Sequence, residues 1–355
     1  MDTCALLLSF VPIYLLRHLS RGSATSILLR QALIPHVSKS LQPLNPSSST
    51  NAIVDSIKQA FLSIDKKIFK AAEAALESTT PSPSVIAALA PAYAGSCALL
   101  SLYNPRTSLL LTACVGDSRA VLGRYDSATS TYTCEPLSID QTGQNPKELA
   151  RVRAAHPDEP DCIREDTGRV LGLAVTRAFG DSRWKWDAST QRKAMERFFG
   201  DRPLQGSKTP PYLTAEPELT ETRVREGDFL ILASDGFWDH FSSEDAVTCV
   251  GEWVKVTEEK TVKVQEGPGP GFRKSTMYVR DEGKGYVDWK ATSEHFVVED
   301  ANVATHLARN ALGGSRRELF CGVMSAQPPL SRTARDDITV TVVFFSDIPG
   351  SKEKA

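Results

Sequence analysis

Residues 95–126 read GSCALLSLYNPRTSLLLTACVGDSRAVLGRYD, and this segment carries the clearest structural signal in the chain. It contains three short apolar runs, SCALLSLYN, SLLLTACVG and RAVLGRYD, which are separated by turn-forming residues. Runs of this length bounded by turns predict adjacent strands of an antiparallel meander. Further along the chain, two more apolar runs, Phe229–Gly236 and Ile338–Phe345, predict two further buried strands.

Predicted helices lie on both sides of these strands. Apolar side chains recur at helical spacing in residues 24–42 and in Ala52–Ala75, and shorter helices are predicted at Pro146–Ala155, Ser243–Trp253 and Ala301–Leu312. Helices and strands that do not strictly alternate are typical of α+β folds, in which sheets and helices form separate layers. The sequence therefore predicts the α+β class.

The composition is that of an ordinary globular protein. The chain has 355 residues, of which 41% are hydrophobic and 24% are charged, and its formal net charge is -2. These values exclude a wholly disordered, collagen-like or coiled-coil chain. A net charge near zero also argues against nucleic acid or an anionic membrane as the main partner, because such partners need a concentrated basic surface. Length alone leaves one domain or two open.

Seven cysteines are scattered along the chain, with no Cys-x-x-Cys pair and an odd total. This spacing argues against a zinc cluster and against a dense framework of disulfide bonds. Such cysteine usage is natural for a protein in a reducing compartment.

The N-terminal segment has an unusual composition. Its apolar stretch, Ala5–Leu16, is interrupted by Pro12 and is well short of the roughly 20 residues that span a bilayer, so no transmembrane segment is predicted. Between Asp2 and Asp55 there is no acidic residue, whereas serine and basic residues are frequent. This pattern suits a mitochondrial presequence, and the alternative is an N-terminal segment without a targeting role.

Acidic residues lie at the ends of three predicted strands. Asp117 comes after the run LLLTACVG, Asp235 comes after FLILAS, and Asp336 comes just before ITVTVVFF. Asp239 lies four residues after Asp235, one helical turn away if a helix begins there. Carboxylates that emerge from rigid strands and converge form an oxygen-rich site for magnesium or manganese. Taken alone, an aspartate at such a position is more often a turn former or a helix cap than a metal ligand.

Other catalytic patterns are missing from the sequence. No P-loop, Gly-x-Gly-x-x-Gly motif or Ser/His/Asp triad order is present, so nucleotide binding through a glycine-rich loop has no support. His156 and His306 lie on predicted helices, and we expect them to satisfy local hydrogen bonds rather than to bind a metal.

Seven motifs in a fixed order carry a family resemblance. They are AGSCALL, GDSRAVLG, LGLAVTRAFGD, PPYLTAEPE, LASDGFWD, NVATHLARNALGG and ARDDITVTVVFF. In this order they resemble the metal-dependent protein phosphatases of type 2C, over roughly residues 24–346. Within that family, KWD after AFGD, TPPYLTAEPE and RDDITVTVVFF resemble the mitochondrial pyruvate dehydrogenase phosphatase branch.

The resemblance implies a domain architecture. We expect two antiparallel β-sheets packed as a sandwich and flanked by α-helices, which form one phosphatase-like domain over residues 24–346. Residues 256–292 are expected to be an insertion that acts as a mobile flap or a partner-docking segment. Residues 1–23 are expected to form an atypical N-terminal segment, a presequence or a replaced exon, and residues 347–355 a tail.

The resemblance also implies a hydrolytic centre with two divalent cations, magnesium or manganese. Asp235 and Asp336 match family ligands of the metal pair, and Asp117 and Asp239 match positions associated with a third, weaker cation. The implied reaction is attack on the phosphorus of phosphoserine or phosphothreonine by a water that the cations acidify. The implied partner is a phosphoprotein, in this branch the pyruvate dehydrogenase complex. The implied compartment is the mitochondrial matrix, and otherwise the cytoplasm.

One family motif, Asp-Gly-His-x-Gly, has no counterpart in the chain, whose single Asp-Gly pair is Asp235-Gly236. Residues 1–23 stand at the expected place of that motif. We therefore expect the fold to lack part of an N-terminal strand and to expose the neighbouring strands. The family's histidine and phosphate-binding arginine are left without a counterpart, so no catalytic residue is predicted.

Two hypotheses of different class follow from this departure. The first is a serine/threonine protein phosphatase. It is active only if the true gene product begins upstream of this sequence or if another carboxylate replaces the missing one. The second is a metal-poor, catalytically impaired phosphatase-like protein that binds phosphoproteins, or a truncated gene product. Manganese-dependent release of phosphate from a phosphoseryl peptide distinguishes the two.

Overall fold

The chain forms two compact units, and each unit contains one four-stranded sheet. The first unit comprises Met1–Ser118 and Ser138–Thr222, and the second comprises Arg119–Leu137 and Arg223–Ala355. The single domain over residues 24–346 stays a prediction. The computed structural model describes residues 7–12, 22–45, 48–262, 289–328 and 331–346.

Helices and strands occur in both units. The strands of the described residues are β1 (Leu7–Pro12), β2 (Gly95–Ser96), β3 (Ala98–Asn104), β4 (Leu109–Val115), β5 (Arg119–Asp126), β6 (Thr131–Pro136), β7 (Ile163–Arg164), β8 (Arg169–Val170), β9 (Phe179–Gly180), β10 (Glu218–Arg223), β11 (Phe229–Ala233) and β12 (Val340–Phe344). The helices are α1 (Ala24–Leu41), α2 (Thr50–Leu76), α3 (Pro83–Tyr93), α4 (Pro146–Ala155), α5 (Ser182–Lys185), α6 (Ala188–Phe198), α7 (Asp235–Trp238), α8 (Ser243–Val262), α9 (Val303–Ala311), α10 (Arg317–Ser325) and α11 (Ser331–Ala334). Since antiparallel strand pairs are combined with helices, the predicted α+β class is confirmed.

The sheet of the first unit has the strand order β1-β3-β4-β10. β1 pairs antiparallel with β3, from Leu7 opposite Tyr103 to Pro12 opposite Ala98, and β3 pairs antiparallel with β4. β3 therefore has a hydrogen-bonded neighbour on each side. The expectation that this part of the sheet is exposed for want of an N-terminal strand is wrong, because part of the apolar stretch Ala5–Leu16 forms that strand.

Several helices of the first unit begin at side-chain caps and bury one face. Ser49 accepts a hydrogen bond from the Ala52 amide at the start of α2, and Asn145 accepts one from the Lys147 amide at the start of α4. The predicted helices at the positions of α1, α2 and α4 are confirmed. The apolar side chains of α1 and α2 form a core together with those of β3 and β4, and its members include Leu29, Leu33, Ile57, Phe61, Ile64, Ile68, Leu100 and Leu111.

The sheet of the second unit has the strand order β12-β11-β5-β6, and all its pairs are antiparallel. β5 does not pair with β4, so the prediction of one continuous meander is wrong at this step. At the bend, Gly116 has φ +102°, and a Cβ there would lie only 2.0 Å from Cys97 Sγ. A left-handed glycine redirects the chain after β4, which the apolar pattern alone does not reveal.

The two strands predicted near the end of the second unit differ in burial. β11 is buried at every position, as predicted, because it lies between β5 and β12. β12 is half-buried along its whole length, since it lies at the edge of the sheet, so its prediction as a buried strand is wrong. The core of the second unit includes Val121, Phe229, Ile231, Phe237, Phe241, Val250, Trp253 and Leu307.

The insertion expected at residues 256–292 stays a prediction, and the structure describes only its two ends. Helix α8 runs on to Val262, and Trp289 and Ala291 are buried. Residues 263–288 lie outside the described residues, as do residues 1–6, 13–21 and the tail. Among the helices that the structure describes, none combines the length and apolar character needed to cross a membrane.

His306 of α9 is fully buried and hydrogen-bonded on both ring nitrogens. Asn310 Nδ2 donates to His306 Nδ1 at 3.2 Å, so the ring proton lies on Nε2, 3.1 Å from the Cys249 carbonyl oxygen. Burial lowers the pKa of His306 below its ordinary value. The expectation that this histidine satisfies local hydrogen bonds is confirmed, and it is held neutral.

Acidification is expected to destabilise the protein partly through His306. The unfolded histidine takes up a proton near about pH 6.5, whereas the folded one resists protonation, so stability is full above that pH and is lost below it. Urea midpoints measured at about pH 7.5 and about pH 5.5 should therefore differ more in the wild type than in His306→Gln. Equal pH dependence in both proteins would contradict this assignment.

Candidate functional site

The first acidic position follows directly from β11. This strand is fully buried and ends at Ala233, after which Ser234 leads into the short helix α7, whose first residue is Asp235. Trp238 Nε1 donates to the Ala233 carbonyl oxygen at 3.1 Å and fixes the end of α7 to the strand. Asp235 is thus carried by a rigid strand and is half-buried.

Ser234 joins this strand end to the segment before β12. Its hydroxyl donates to the Asp337 carbonyl oxygen at 2.9 Å and accepts from the Thr339 amide at 2.9 Å. The Ser234 amide in turn donates to the Thr339 carbonyl oxygen at 3.0 Å. Because β11 and β12 are antiparallel, with Ala233 opposite Val340, the residues after β11 lie beside the residues before β12.

Gly236 brings the two acidic segments into direct contact. A Cβ at this position would lie 2.6 Å from the Asp337 carbonyl oxygen and 3.1 Å from Asp336 Cβ. Only glycine permits this approach. Asp235 and Asp336 each accept a hydrogen bond from the amide that follows them, at 2.9 and 2.8 Å. The structure therefore brings two of the four predicted site residues together.

Gly236→Ala is expected to destabilise the second unit by about 1–3 kcal/mol, because the added methyl group meets a backbone oxygen that cannot move independently. Thermal and urea unfolding in the presence of a chelator measure this effect. Gly322→Ala in α10 is the control, since a Cβ there has nothing within 4 Å and alanine favours a helix. Similar stability of both variants would show that the segments separate without cost.

Asp239 lies at the end of α7 and is exposed. Its amide donates to the Asp235 carbonyl oxygen at 2.7 Å, which closes one helical turn between the two aspartates. Its carbonyl oxygen accepts from Lys290 Nζ at 2.5 Å. Asp239 thus belongs to the same turn of the second unit as Asp235.

Asp117 belongs to the first unit, whereas the other three predicted site residues belong to the second. It is buried and follows the bend at Gly116. The Cys97 thiol lies 3.3 Å from Asp117 Oδ1 and donates to it. Its burial and its hydrogen bond with the Cys97 thiol hold the Asp117 carboxylate in place within the first unit.

The donors fit a divalent cation in type. Asp235 and Asp336 offer the hard carboxylate oxygens that magnesium and manganese prefer. In the described part of the chain, no group of three or more His, Cys, Asp and Glu side chains forms a cluster that could hold a metal ion. The described residues therefore supply carboxylate donors for a cation but do not by themselves complete a metal centre.

A buried ion pair in the first unit was not predicted. Glu148 and Arg177 are 1% and 7% exposed, and Arg177 Nη2 lies 2.6 Å from Glu148 Oε1. Arg151 and Thr176 also donate to this carboxylate, at 2.8 and 2.5 Å. Burial alone would raise the pKa of Glu148, but the three donors lower it to about 2. The only sequence signal was the unusual segment around Arg177, which gives no indication of its partner.

Carboxylates at the ends of neighbouring strands are donors of the type that hydrolases use to bind divalent cations. The family profile described as Protein phosphatase 2C matches residues 27–266. The chain belongs to the protein phosphatase 2C family of serine/threonine phosphatases.

Three curated relatives show the same affiliation. A protein phosphatase 2C homolog of Schizosaccharomyces pombe is 40% identical over 92% of this chain and 71% of its own length. The mitochondrial pyruvate dehydrogenase (acetyl-transferring) phosphatase 1 of Saccharomyces cerevisiae is 36% identical over 92% of this chain and 60% of its own length. The human mitochondrial phosphatase 2 of the same description is 38% identical over 67% of this chain and 45% of its own length. The chain thus spans less than two thirds of the latter two relatives.

Proposed function

We propose that this protein hydrolyses phosphoserine and phosphothreonine esters of proteins in a reaction that depends on magnesium or manganese. The observation that carries the proposal is the Ser234 junction, which holds Asp235-Gly236 against Asp336-Asp337. Family membership supports the reaction class. The pair of carboxylates supports the choice of a hard divalent cation.

The chain's own residues have separate tasks in this proposal. Asp235 and Asp336 hold cations through their carboxylates, and Ser234 keeps the two strand ends in register. The roles expected for Asp117 and Asp239 toward a weaker cation stay predictions for each residue within its own unit. A bound cation supplies acidification of a water and neutralises charge that develops on the phosphoryl group.

The proposed substrate is a phosphoprotein of the pyruvate dehydrogenase complex, and the proposed compartment is the mitochondrial matrix. Two of the relatives are named as mitochondrial pyruvate dehydrogenase phosphatases, which supports both proposals.

The test is phosphate release from a phosphoseryl peptide that carries a pyruvate dehydrogenase sequence. Release is expected with manganese or magnesium and should stop in the presence of a chelator. Fluorescence anisotropy of the same labelled peptide measures binding in parallel. Peptide binding without any release under these conditions would overturn the proposal and favour the phosphatase-like binding protein.

A further inference from the structure

We propose that Lys290 is a positioning residue for the acidic turn, Asp235–His240, which it holds together with its neighbours Trp289 and Ala291. These three residues lie at the end of the sequence interval that was expected to be an insertion. All of them belong to the second unit, as does the acidic turn. The consequence of this role for catalysis rests on the proposed function, whereas the contacts of Lys290 do not depend on that function.

Trp289 anchors this segment to the core. Its ring stacks on the ring of His240, with the centroids 4.2 Å apart and the planes 9° from parallel. Both side chains are 7% exposed, so the stack is shielded from water. Trp289 Nε1 donates to the Ala311 carbonyl oxygen at 2.8 Å, which ties the ring to the end of α9. The position of Trp289 is therefore fixed by helix and turn alike.

The main chain of the turn is held by the next two residues. Lys290 Nζ donates to the Asp239 carbonyl oxygen at 2.5 Å, and the Ala291 amide donates to the His240 carbonyl oxygen at 2.8 Å. Arg316 Nη2 donates to the Lys290 carbonyl oxygen at 2.8 Å and so holds the main chain of Lys290 in place. The contacts of Trp289, Lys290 and Ala291 with the acidic turn are together called the clamp. A hydrogen bond from an ammonium group is stronger than one between neutral groups.

The acidic turn is thus fixed at both ends by segments distant in sequence. Ser234 holds its beginning to the residues before β12, and Lys290 holds its end. Neither residue has a carboxylate to offer a cation. Lys290 is expected to restrict the motion of the acidic turn and thereby to increase its affinity for a cation. It is not expected to take part in the chemical step.

Hydrogen exchange of the metal-free protein tests the clamp directly. In Lys290→Met, the amides of Asp239 and His240 are expected to exchange about tenfold faster than in the wild type, the factor associated with one charge-assisted hydrogen bond. Lys290→Arg keeps a cationic donor and should restore most of the protection. Lys255→Met is the matched control, because Lys255 is an exposed lysine on α8 of the same unit. Calorimetric titration with manganese should show weaker binding by Lys290→Met alone among these variants.

Two results would overturn the clamp. One is unchanged exchange at the acidic turn in Lys290→Met. The other is faster exchange throughout α8 and α9 as well, which would identify a general structural role. Absence of phosphatase activity in the wild type would instead contradict the proposed function and leave the exchange comparison decisive for Lys290. If activity is present, Lys290→Met should raise the manganese concentration for half-activation about tenfold and change kcat less than about twofold.

Discussion

Asp235→Asn is expected to lower manganese-dependent phosphate release by at least about 100-fold. Asparagine has nearly the same size as aspartate and can still accept the hydrogen bond from the Gly236 amide, but it carries no negative charge. The change therefore removes charge from the proposed cation site while it keeps the junction with Asp336. Initial rates on a phosphoseryl peptide, measured over a range of manganese concentrations, give the effect on kcat and on cation affinity.

A control separates loss of the site from loss of the fold. Asp158→Asn alters an exposed aspartate of the first unit in the same way and should leave the rate within about twofold of the wild type. Both variants should unfold within about 2 °C of the wild type in the presence of a chelator. Equal rates for Asp235→Asn and the wild type would remove Asp235 from the metal site.

Glu148→Gln is expected to destabilise the protein by about 3–5 kcal/mol, because it leaves the buried guanidinium of Arg177 without its closest counter-charge. A second carboxylate near Arg177, that of Glu218, lies 3.5 Å away and is substantially exposed. Since the folded-state pKa of Glu148 is about 2, this contribution is present above about pH 4.5 and is lost as the pH falls toward 2. Urea unfolding followed by tryptophan fluorescence measures the loss.

The matched control is Glu165→Gln, because Glu165 pairs with Arg153 at the surface and both side chains are well exposed. That change should cost less than about 1 kcal/mol. Glu148→Gln combined with Arg177→Met should cost less than the sum of the two single changes, because the double variant buries no unpaired charge. Strict additivity would show that the two residues do not act as a pair.

Much of the fold could be predicted because its signals are local. The apolar run before Asp235 has the length and composition of a buried strand, and β11 is one. Residues 146–155 begin with proline and have the periodicity of a short helix, and α4 has those bounds. Strand-end aspartates could be noted in the same way, because a buried run followed by Asp-Gly is visible in the sequence.

The remainder depends on contacts between distant residues. The move of β5 away from β4 follows from the close packing of Gly116 on Cys97, which no period in the sequence records. β6 and α3 were not predicted, since β6 alternates weakly and α3 carries an internal proline, Pro91. The ion pair between Glu148 and Arg177 likewise could not be predicted, because the two residues lie 29 positions apart in the sequence and meet only in the folded chain.

The candidate site was predicted as single residues rather than as an arrangement. The structure brings Asp235 and Asp336 together through Gly236 and through Ser234, whose hydroxyl bonds to a residue 103 positions further along the chain. The roles of all four aspartates in cation binding stay predictions. Lys290 could not be predicted for a different reason. The mixed charge and glycine content of residues 256–292 give no indication that Trp289 and Ala291, the neighbours of Lys290, are buried.

The edge position of β12 has a consequence for the time at which the acidic pair can assemble. The partners of Ser234, Asp337 and Thr339, lie just before β12, whereas β5 and β6 are synthesised much earlier. During translation, β11 can pair with β5 but has an open, apolar edge until β12 leaves the ribosome. The nascent second unit therefore exposes an apolar strand edge, which favours pairing with other chains, during this late interval.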